Sequence, residues 1–201
     1  MIAAVVLAAG LSRRMGQPKL LLDLDGAPVL RRTVERVLAA HPGDVVVVVG
    51  PAADAIRTAL EGLPVRWAVN PEPEAGQAGS VVAGVRALAP GTAAAVIALG
   101  DQPTVPQDVI PRLVAAMAET GKPIAAPVYA GERGNPVLFA AVVFPELLGL
   151  SGDRGARAVI ERDAARVTLV PFDFPMPPDL DTPDDYGKLR WRRLRSPGDP
   201  V

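Results

Sequence analysis

One short stretch near the start of the chain combines small residues with positive charge. It reads LAAGLSRRMGQPK from Leu7 to Lys19 and directly follows an apolar run. Backbone N–H groups with little side-chain cover, a glycine and clustered cations together suit a polyphosphate. The residues that we expect to contact a nucleotide in this loop are Leu7, Ala8, Ala9, Gly10, Arg14, Gly16 and Lys19.

Two common phosphate-binding motifs do not describe this loop. Five residues separate Gly10 from Gly16 where a P-loop has four, and Gly16 is followed by Gln-Pro-Lys. Ser12 stands where a dinucleotide-binding fingerprint needs its second glycine. A basic loop between a strand and a helix, with no ligand, is the alternative interpretation.

Two aspartates could supply the oxygen ligands that Mg²⁺ prefers. Asp101 follows an apolar run that ends at Leu99, and Asp181 lies in the sequence DLDTPDD. With Lys19 and Arg14 as cations for a triphosphate, Asp101 and Asp181 complete a predicted catalytic and metal-binding set that needs no histidine. The alternative is that each aspartate only caps the helix after it.

Polar residues at two further loops could contact substrates. Gly76, Gln77 and Ser80 begin a predicted helix and could face a base or ribose, or could instead satisfy one another. Arg154 and Arg157 share one face of a predicted helix start and could bind a phosphate, although a solvated helix face would look the same.

The elements around these loops alternate between strand and helix. The run Val45–Val49 is β-branched throughout, which is typical of a central parallel strand. Residues 124–139 predict an antiparallel hairpin. We therefore expect an α/β fold, a single-domain Rossmann-like three-layer sandwich over residues 1–190, with a mostly parallel central sheet and a flexible tail over 191–201.

Composition narrows the classes of protein further. A net charge of −1 gives no reason to expect nucleic acid or an anionic membrane as partner, and no apolar run approaches a membrane span. The N-terminal apolar run precedes its arginines, opposite to the order in a secretory signal. The chain has no cysteine, which fits a reducing compartment, so we expect a cytoplasmic protein.

Six ordered motifs resemble the molybdenum cofactor cytidylyltransferase family, in the MobA-like NTP transferase superfamily. They are the LAAG-x-S-x-RMG-x-PK loop, N-x(5)-GQ-x-x-S, GDQP, RGNPVLF, GDRGAR and DLDTPDDY. The resemblance implies Mg²⁺-dependent transfer of CMP from CTP to the phosphate of molybdopterin, with release of pyrophosphate. It places the NTP on the first loop and Mg²⁺ on Asp101 and Asp181. It assigns the acceptor side to Gly134, Asn135, Pro136, Asp153, Arg154 and Arg157.

Two positions bear on substrate identity. Family members that use CTP tend to read LAAG and guanylyl relatives LAGG, so Ala9 favours CTP. Asn135 replaces the histidine common in the family and cannot become cationic. The identity of the acceptor is therefore less well defined by the sequence than the transfer reaction. Transfer from GTP or to another phosphorylated acceptor, and a non-catalytic carrier of molybdenum cofactor, are the alternatives. A molybdenum hydroxylase that receives the product is an implied partner.

Overall fold

The computed structural model describes residues 1–12, 15–40 and 43–194, the last four by their backbone alone. Arg14, which we predicted to bind the triphosphate, lies outside these residues. So do residues 195–201 of the predicted tail, whereas residues 191–194 continue the last helix. Within the described residues, none of the helices has the length and apolarity needed to cross a membrane.

Ten strands and seven α-helices make up the described part of the chain. The strands are β1 (Ile2–Ala8), β2 (Asp23–Leu24), β3 (Ala27–Pro28), β4 (Val45–Val49), β5 (Arg66–Val69), β6 (Ala94–Leu99), β7 (Ile124–Tyr129), β8 (Glu132–Arg133), β9 (Val137–Ala140) and β10 (Val167–Phe172). The helices are α1 (Val29–Ala40), α2 (Ala53–Ala59), α3 (Gln77–Arg86), α4 (Val109–Thr120), α5 (Phe144–Leu148), α6 (Arg157–Arg162) and α7 (Pro183–Leu194).

One mixed sheet forms the middle layer. Its order is β10-β7-β9-β6-β1-β4-β5, and β8 adds to β7. β9 runs antiparallel to both β6 and β7, while the other neighbours along this order are parallel. The predicted parallel sheet and its antiparallel hairpin are therefore confirmed, with β9 inserted between β6 and β7.

Helices cover both faces of the sheet. Alternate residues of the central strands face opposite sides: Val47 packs in one apolar cluster with α1, α2 and α4, and Val46 and Val48 pack in another beside α3. Both faces of β4 are fully buried, as its run of valines predicts. This arrangement confirms the three-layer α/β sandwich.

The chain passes from one side of β1 to the other between β5 and β6. β4 and β5 extend the sheet on one side of β1, and β6 returns to the opposite side. Ligands of open α/β sheets bind beyond the carboxyl ends of the strands at such a switch point. The carboxyl ends of β1 and β6 are therefore the expected place for a site.

Candidate active site

Two loops leave the sheet side by side at the switch point. Leu7 of β1 pairs with Leu99 of β6. The amide of Gly100, which follows Leu99, donates to the Leu7 carbonyl at 3.0 Å. A Cβ at position 100 would lie 2.8 Å from that same oxygen, so any side chain there would have to displace backbone. Thr33 Oγ1 on α1 donates to the Gly100 carbonyl at 2.9 Å and holds the turn in place. Asp101 is thereby fixed beside the loop that follows β1.

Lys19 joins the two predicted metal ligands. Its backbone N–H donates to Ser12 Oγ at 3.1 Å, which anchors the residue to the loop after β1. Its ammonium Nζ donates to Asp101 Oδ2 at 2.6 Å and to Asp181 Oδ1 at 2.8 Å. Two carboxylates that are 80 residues apart in the chain thus meet at one cation.

The start of α7 positions Asp181. Thr182 caps the helix: the amide of Asp185 donates to Thr182 Oγ1 at 3.2 Å, and Asp185 Oδ2 accepts from the Thr182 amide at 2.9 Å. This reciprocal pair is a capping box with Asp in place of the usual Glu. The Asp181 amide also donates to Asp185 Oδ2, at 3.3 Å. Thr182, and not Asp181, therefore caps α7, and this cap orients the aspartate that precedes it.

Lys19 and Asp179 have perturbed pKa values in this group. Partial burial disfavours the charge on Lys19, but Asp101 and Asp181 outweigh it through attraction and hydrogen bonds, so the pKa of the ammonium is raised. Asp179, which accepts from Gln102 Nε2 at 2.7 Å, is partly exposed. Desolvation and the charges of Asp101 and Asp181 nevertheless raise the pKa of the Asp179 carboxyl, against the Gln102 hydrogen bond and Lys19.

A cavity of about 390 Å³ opens above this group. It brings together eight of the residues that we predicted to contact the nucleotide: Leu7, Ala9, Gly10, Lys19, Gly76, Gln77, Ser80 and Asp101. Asp153, Asp179 and Asp181 also line it. A neighbouring space of about 330 Å³ adds Leu11 and Ser12 of the first loop.

The loop before α3 forms one wall of this cavity. Asn70 Nδ2 donates to Ser80 Oγ at 3.0 Å in a buried contact, so the predicted Ser80 serves the loop's own structure as well as the cavity wall. Gly76 has a φ of +106°. A Cβ there would lie 2.5 Å from the Gly152 carbonyl oxygen and from Asp153 Oδ1. The wall can therefore approach the segment before α6 only because residue 76 is glycine.

A second cavity of about 430 Å³ continues from the first. The two share Leu7, Gln77, Leu99 and Asp153. Five of the six predicted acceptor residues line the second cavity: Gly134, Asn135, Asp153, Arg154 and Arg157. Tyr129 Oη donates to the Asn135 carbonyl at 2.7 Å and so fixes the backbone of that position.

Three arginines surround Glu161 in the second cavity. Arg154 forms a close ion pair with Glu161 Oε2, and Arg133 and Arg157 each lie 3.8 Å from Oε1. Arg133 is the least exposed of them, at 25%. Burial and the neighbouring charge of Arg157 lower the pKa of its guanidinium, partly offset by Glu161. This half of the cleft therefore carries a net positive charge suited to a phosphate.

The structure does not place every predicted residue in the cleft. Ala8 is buried as the last residue of β1, and Gly16 lies in an exposed turn; neither lines the cavities described above. Pro136 is buried on the opposite side of the sheet against α1 and α4. Arg133 and Asp179, which our sequence analysis did not assign, do line the cleft.

The donor set fits a hard divalent cation. Asp101 and Asp181 offer two convergent carboxylates, and Mg²⁺ is usually held by one or two carboxylates together with substrate phosphates and water. Among the residues that the structure describes, no group of three or more His, Cys, Asp or Glu side chains could hold a metal. The two aspartates are the residues that would hold one here.

The fold is that of an α/β protein with a cleft at the switch point of a largely parallel sheet, where proteins of this architecture bind their ligands. The family model of the MobA-like NTP transferase domain matches residues 4–167. The chain therefore belongs to the MobA-like NTP transferase family and is a nucleotidyltransferase.

Similar proteins agree with this assignment. The chain is 34% identical to the purine catabolism protein PucB of Bacillus subtilis, over 94% of this chain and 96% of that one. It is 32% identical to a molybdenum cofactor guanylyltransferase of Rhodobacter capsulatus, over 95% and 96%. Among solved structures it is similar to the manganese complex of Rv0371C from Mycobacterium tuberculosis, with a TM-score of 0.82, 30% identity, and 94% and 98% of the chains covered.

Proposed function

We propose that the protein transfers CMP from CTP to the phosphate of a molybdopterin-type acceptor, with release of pyrophosphate and dependence on Mg²⁺. The observation that carries the proposal is the contact of Lys19 with both Asp101 and Asp181 at the base of a cleft whose far end is lined by arginines. The near end then takes the triphosphate and the far end the acceptor.

The reaction forms one P–O bond and breaks another. An oxygen of the acceptor phosphate attacks the α-phosphorus of CTP, and the bond from that phosphorus to the bridging oxygen of the β-phosphate breaks. The acceptor oxygen is already deprotonated at neutral pH, so no general base is needed. The product carries a new diphosphate linkage, and pyrophosphate leaves with the bond's electrons.

The chain's task is to position the two phosphates and to balance their charge. The loop of Gly10, Leu11 and Ser12 lines the space for the triphosphate, and Lys19 lies at its edge. A divalent cation held by Asp101 and Asp181 would neutralise charge on the phosphates and the leaving pyrophosphate. The manganese complex of Rv0371C supports a divalent cation in this fold.

The arginine-lined half of the cleft supports a phosphorylated acceptor. Arg133, Arg154 and Arg157 supply the charge, and Asn135 offers an amide near them. Gln77 and Asp153 belong to both cavities, so they lie where the acceptor phosphate and the α-phosphate would meet. A molybdenum hydroxylase is the proposed recipient of the product.

Transfer from GTP is a second candidate. The guanylyltransferase name of the Rhodobacter capsulatus relative favours it, while Ala9 in the cavity wall favours CTP. Calorimetric competition among the four NTPs in the presence of Mg²⁺ separates them. We expect CTP to bind most tightly, and tight GTP with weak CTP binding would reverse the assignment.

Pyrophosphate release tests the transfer itself. We expect release only when CTP, Mg²⁺ and a molybdopterin-type acceptor are all present, and loss of most activity in Lys19→Ala. A carrier that hands on molybdenum cofactor without chemistry would release none in a single turnover with saturating ligands. Release with another phosphorylated compound in place of the molybdopterin acceptor would change the proposed substrate but not the reaction.

A further inference from the structure

The two carboxylates expected to hold a metal are already paired with a cation of the chain itself. Lys19 Nζ lies within 2.8 Å of an oxygen of each, and its side chain is only 14% exposed. A divalent cation that bound both oxygens would therefore compete directly with the ammonium. Two of the three N–H groups of this ammonium point to the carboxylates, so only one remains for a triphosphate unless the lysine changes partners.

Lys19 is placed so that it can change partners. Its backbone is held by Ser12 Oγ, whereas its flexible four-carbon side chain ends in the cavity. The residue lines both the space above the aspartates and the adjoining space beside Gly10 and Ser12. A triphosphate bound along the first loop would thus offer the ammonium new oxygen partners close to its present ones.

The charge of the cavity gives a reason for the exchange. In the part of the chain that the structure describes, four carboxylates and one cation line it: Asp101, Asp153, Asp179, Asp181 and Lys19. An excess of negative charge repels a free triphosphate. A nucleotide that arrives with a divalent cation brings the missing positive charge.

We propose that Lys19 occupies the metal position in the free enzyme and moves to the triphosphate on binding, so that divalent cation and nucleotide bind together. This inference rests on the proposed function, because it assumes that Asp101 and Asp181 are the metal ligands. The substrate is then the metal–nucleotide complex. Each ligand raises the affinity for the other, by the same factor in both directions.

Mn²⁺ binding to the full chain without nucleotide tests the exchange. We expect weak binding to the unmodified protein and at least about tenfold tighter binding to Lys19→Met, because removing the ammonium takes a competing cation from both carboxylates and removes a repelling charge. Lys122→Met is the matched control, since Lys122 Nζ contacts the Val167 carbonyl at the start of the edge strand β10. It should bind Mn²⁺ as the unmodified protein does.

Two further variants keep the test interpretable. Lys19→Gln removes the charge but retains a hydrogen-bond donor for one carboxylate, so it should fold if Lys19→Met does not and should also bind Mn²⁺ more tightly. Adding Asp101→Asn to Lys19→Met should abolish the gain, which assigns the metal to these carboxylates. Melting curves establish that each variant is folded.

The binding of nucleotide analogues completes the test. The α,β-methylene analogues of CTP and GTP are both measured, so that the result does not depend on which base the site prefers. We expect Mn²⁺ to strengthen analogue binding in the unmodified protein and to do so less in Lys19→Met. If no folded Lys19 variant gains Mn²⁺ affinity while analogue binding remains metal-dependent, the exchange is wrong and the nucleotide site stands. If no protein binds Mn²⁺ or either analogue, the proposed function fails as well.

Discussion

Gly76 offers a direct test of the wall between the two cavities. Two costs act on Gly76→Ala. Its φ of +106° is unfavourable for alanine, and the new Cβ would lie 2.5 Å from the Gly152 carbonyl oxygen and from Asp153 Oδ1. Gly91→Ala is the matched control, because Gly91 also has a positive φ (+77°) but nothing lies within 4 Å of its Cβ. The difference between the two variants contains the close contact together with the backbone cost of residue 76, whose ψ of 176° at positive φ is a conformation that only glycine adopts readily.

The magnitude follows from these two costs. We expect Gly91→Ala to lower the free energy of unfolding by about 1 kcal/mol from backbone conformation alone. Gly76→Ala should lose about 2 kcal/mol more, because overpacking against atoms that cannot move freely adds to a backbone conformation that alanine avoids. In urea, with a slope of about 2.5 kcal/mol/M for a chain of this size, the midpoints should differ by about 0.8 M.

Pyrophosphate release gives the second readout for these variants. Gly76→Ala should raise KM for both substrates, since the displaced wall borders both cavities, whereas Gly91→Ala should retain the kinetics of the unmodified protein. Equal urea midpoints for the two variants would refute the close packing of residues 76 and 152. A clear difference in stability with unchanged KM values would refute the role of this wall in binding.

Three other variants test the cleft and its surroundings. Asp101→Asn should lower kcat/KM about 10³-fold in the pyrophosphate assay, which is the usual effect of removing a group that stabilises charge in the transition state. Asp54 is fully exposed, so Asp54→Asn should leave kcat/KM unchanged. Arg133→Ala should raise KM for the acceptor by about 10- to 100-fold, which corresponds to the loss of one hydrogen bond to a charged group. Arg162→Ala is the control, and an unchanged acceptor KM in Arg133→Ala would show that Arg133 does not bind the acceptor. A hydrogen bond from Arg166 lowers the pKa of the Glu146 carboxyl below its usual 4.5. This contact therefore stabilises the fold fully above pH 4.5, and its contribution is lost as the pH falls through the pKa that Glu146 has in the folded protein. The stability difference between the unmodified protein and Glu146→Gln should therefore shrink in melting curves taken below pH 4.5, and a difference that grew would contradict the pairing.

The sequence predicted the layers of the fold because local signals agree with the tertiary structure. The run of valines from Val45 to Val49 becomes a strand with both faces buried, and Pro28 directly precedes α1. Thr182, a residue type that favours this position, caps α7. In each case the local preference of a few residues and their burial favour the same conformation.

Contacts between distant segments could not be predicted in this way. The sequence analysis paired Asp101 and Asp181 as metal ligands, but the ammonium of Lys19 between them depends on the exact path of three segments. Arg133 was not assigned because only the fold brings it to 3.8 Å from Glu161 of α6.

Pro136 shows where the motif alone misleads. Gly134, Asn135 and Val137 line the second cavity, whereas Pro136 is buried on the other side of the sheet against α1 and α4. Residues 134–136 precede β9, which begins at Val137, so no regular alternation of faces predicts which of them turns away from the cleft. The position of Pro136 depends on its packing against the two helices, which the motif does not show.

The division of charge along the cleft determines which substrate each half can accept. The half above Lys19 is lined mainly by carboxylates, and the half around Glu161 is lined by arginines. A phosphate monoester without metal is attracted to the arginines and repelled by the carboxylates, whereas a triphosphate accompanied by a divalent cation can approach the carboxylates. The two substrates can then bind in opposite halves although both are phosphates. In the proposed reaction their reacting groups would meet at the shared wall of Gln77 and Asp153.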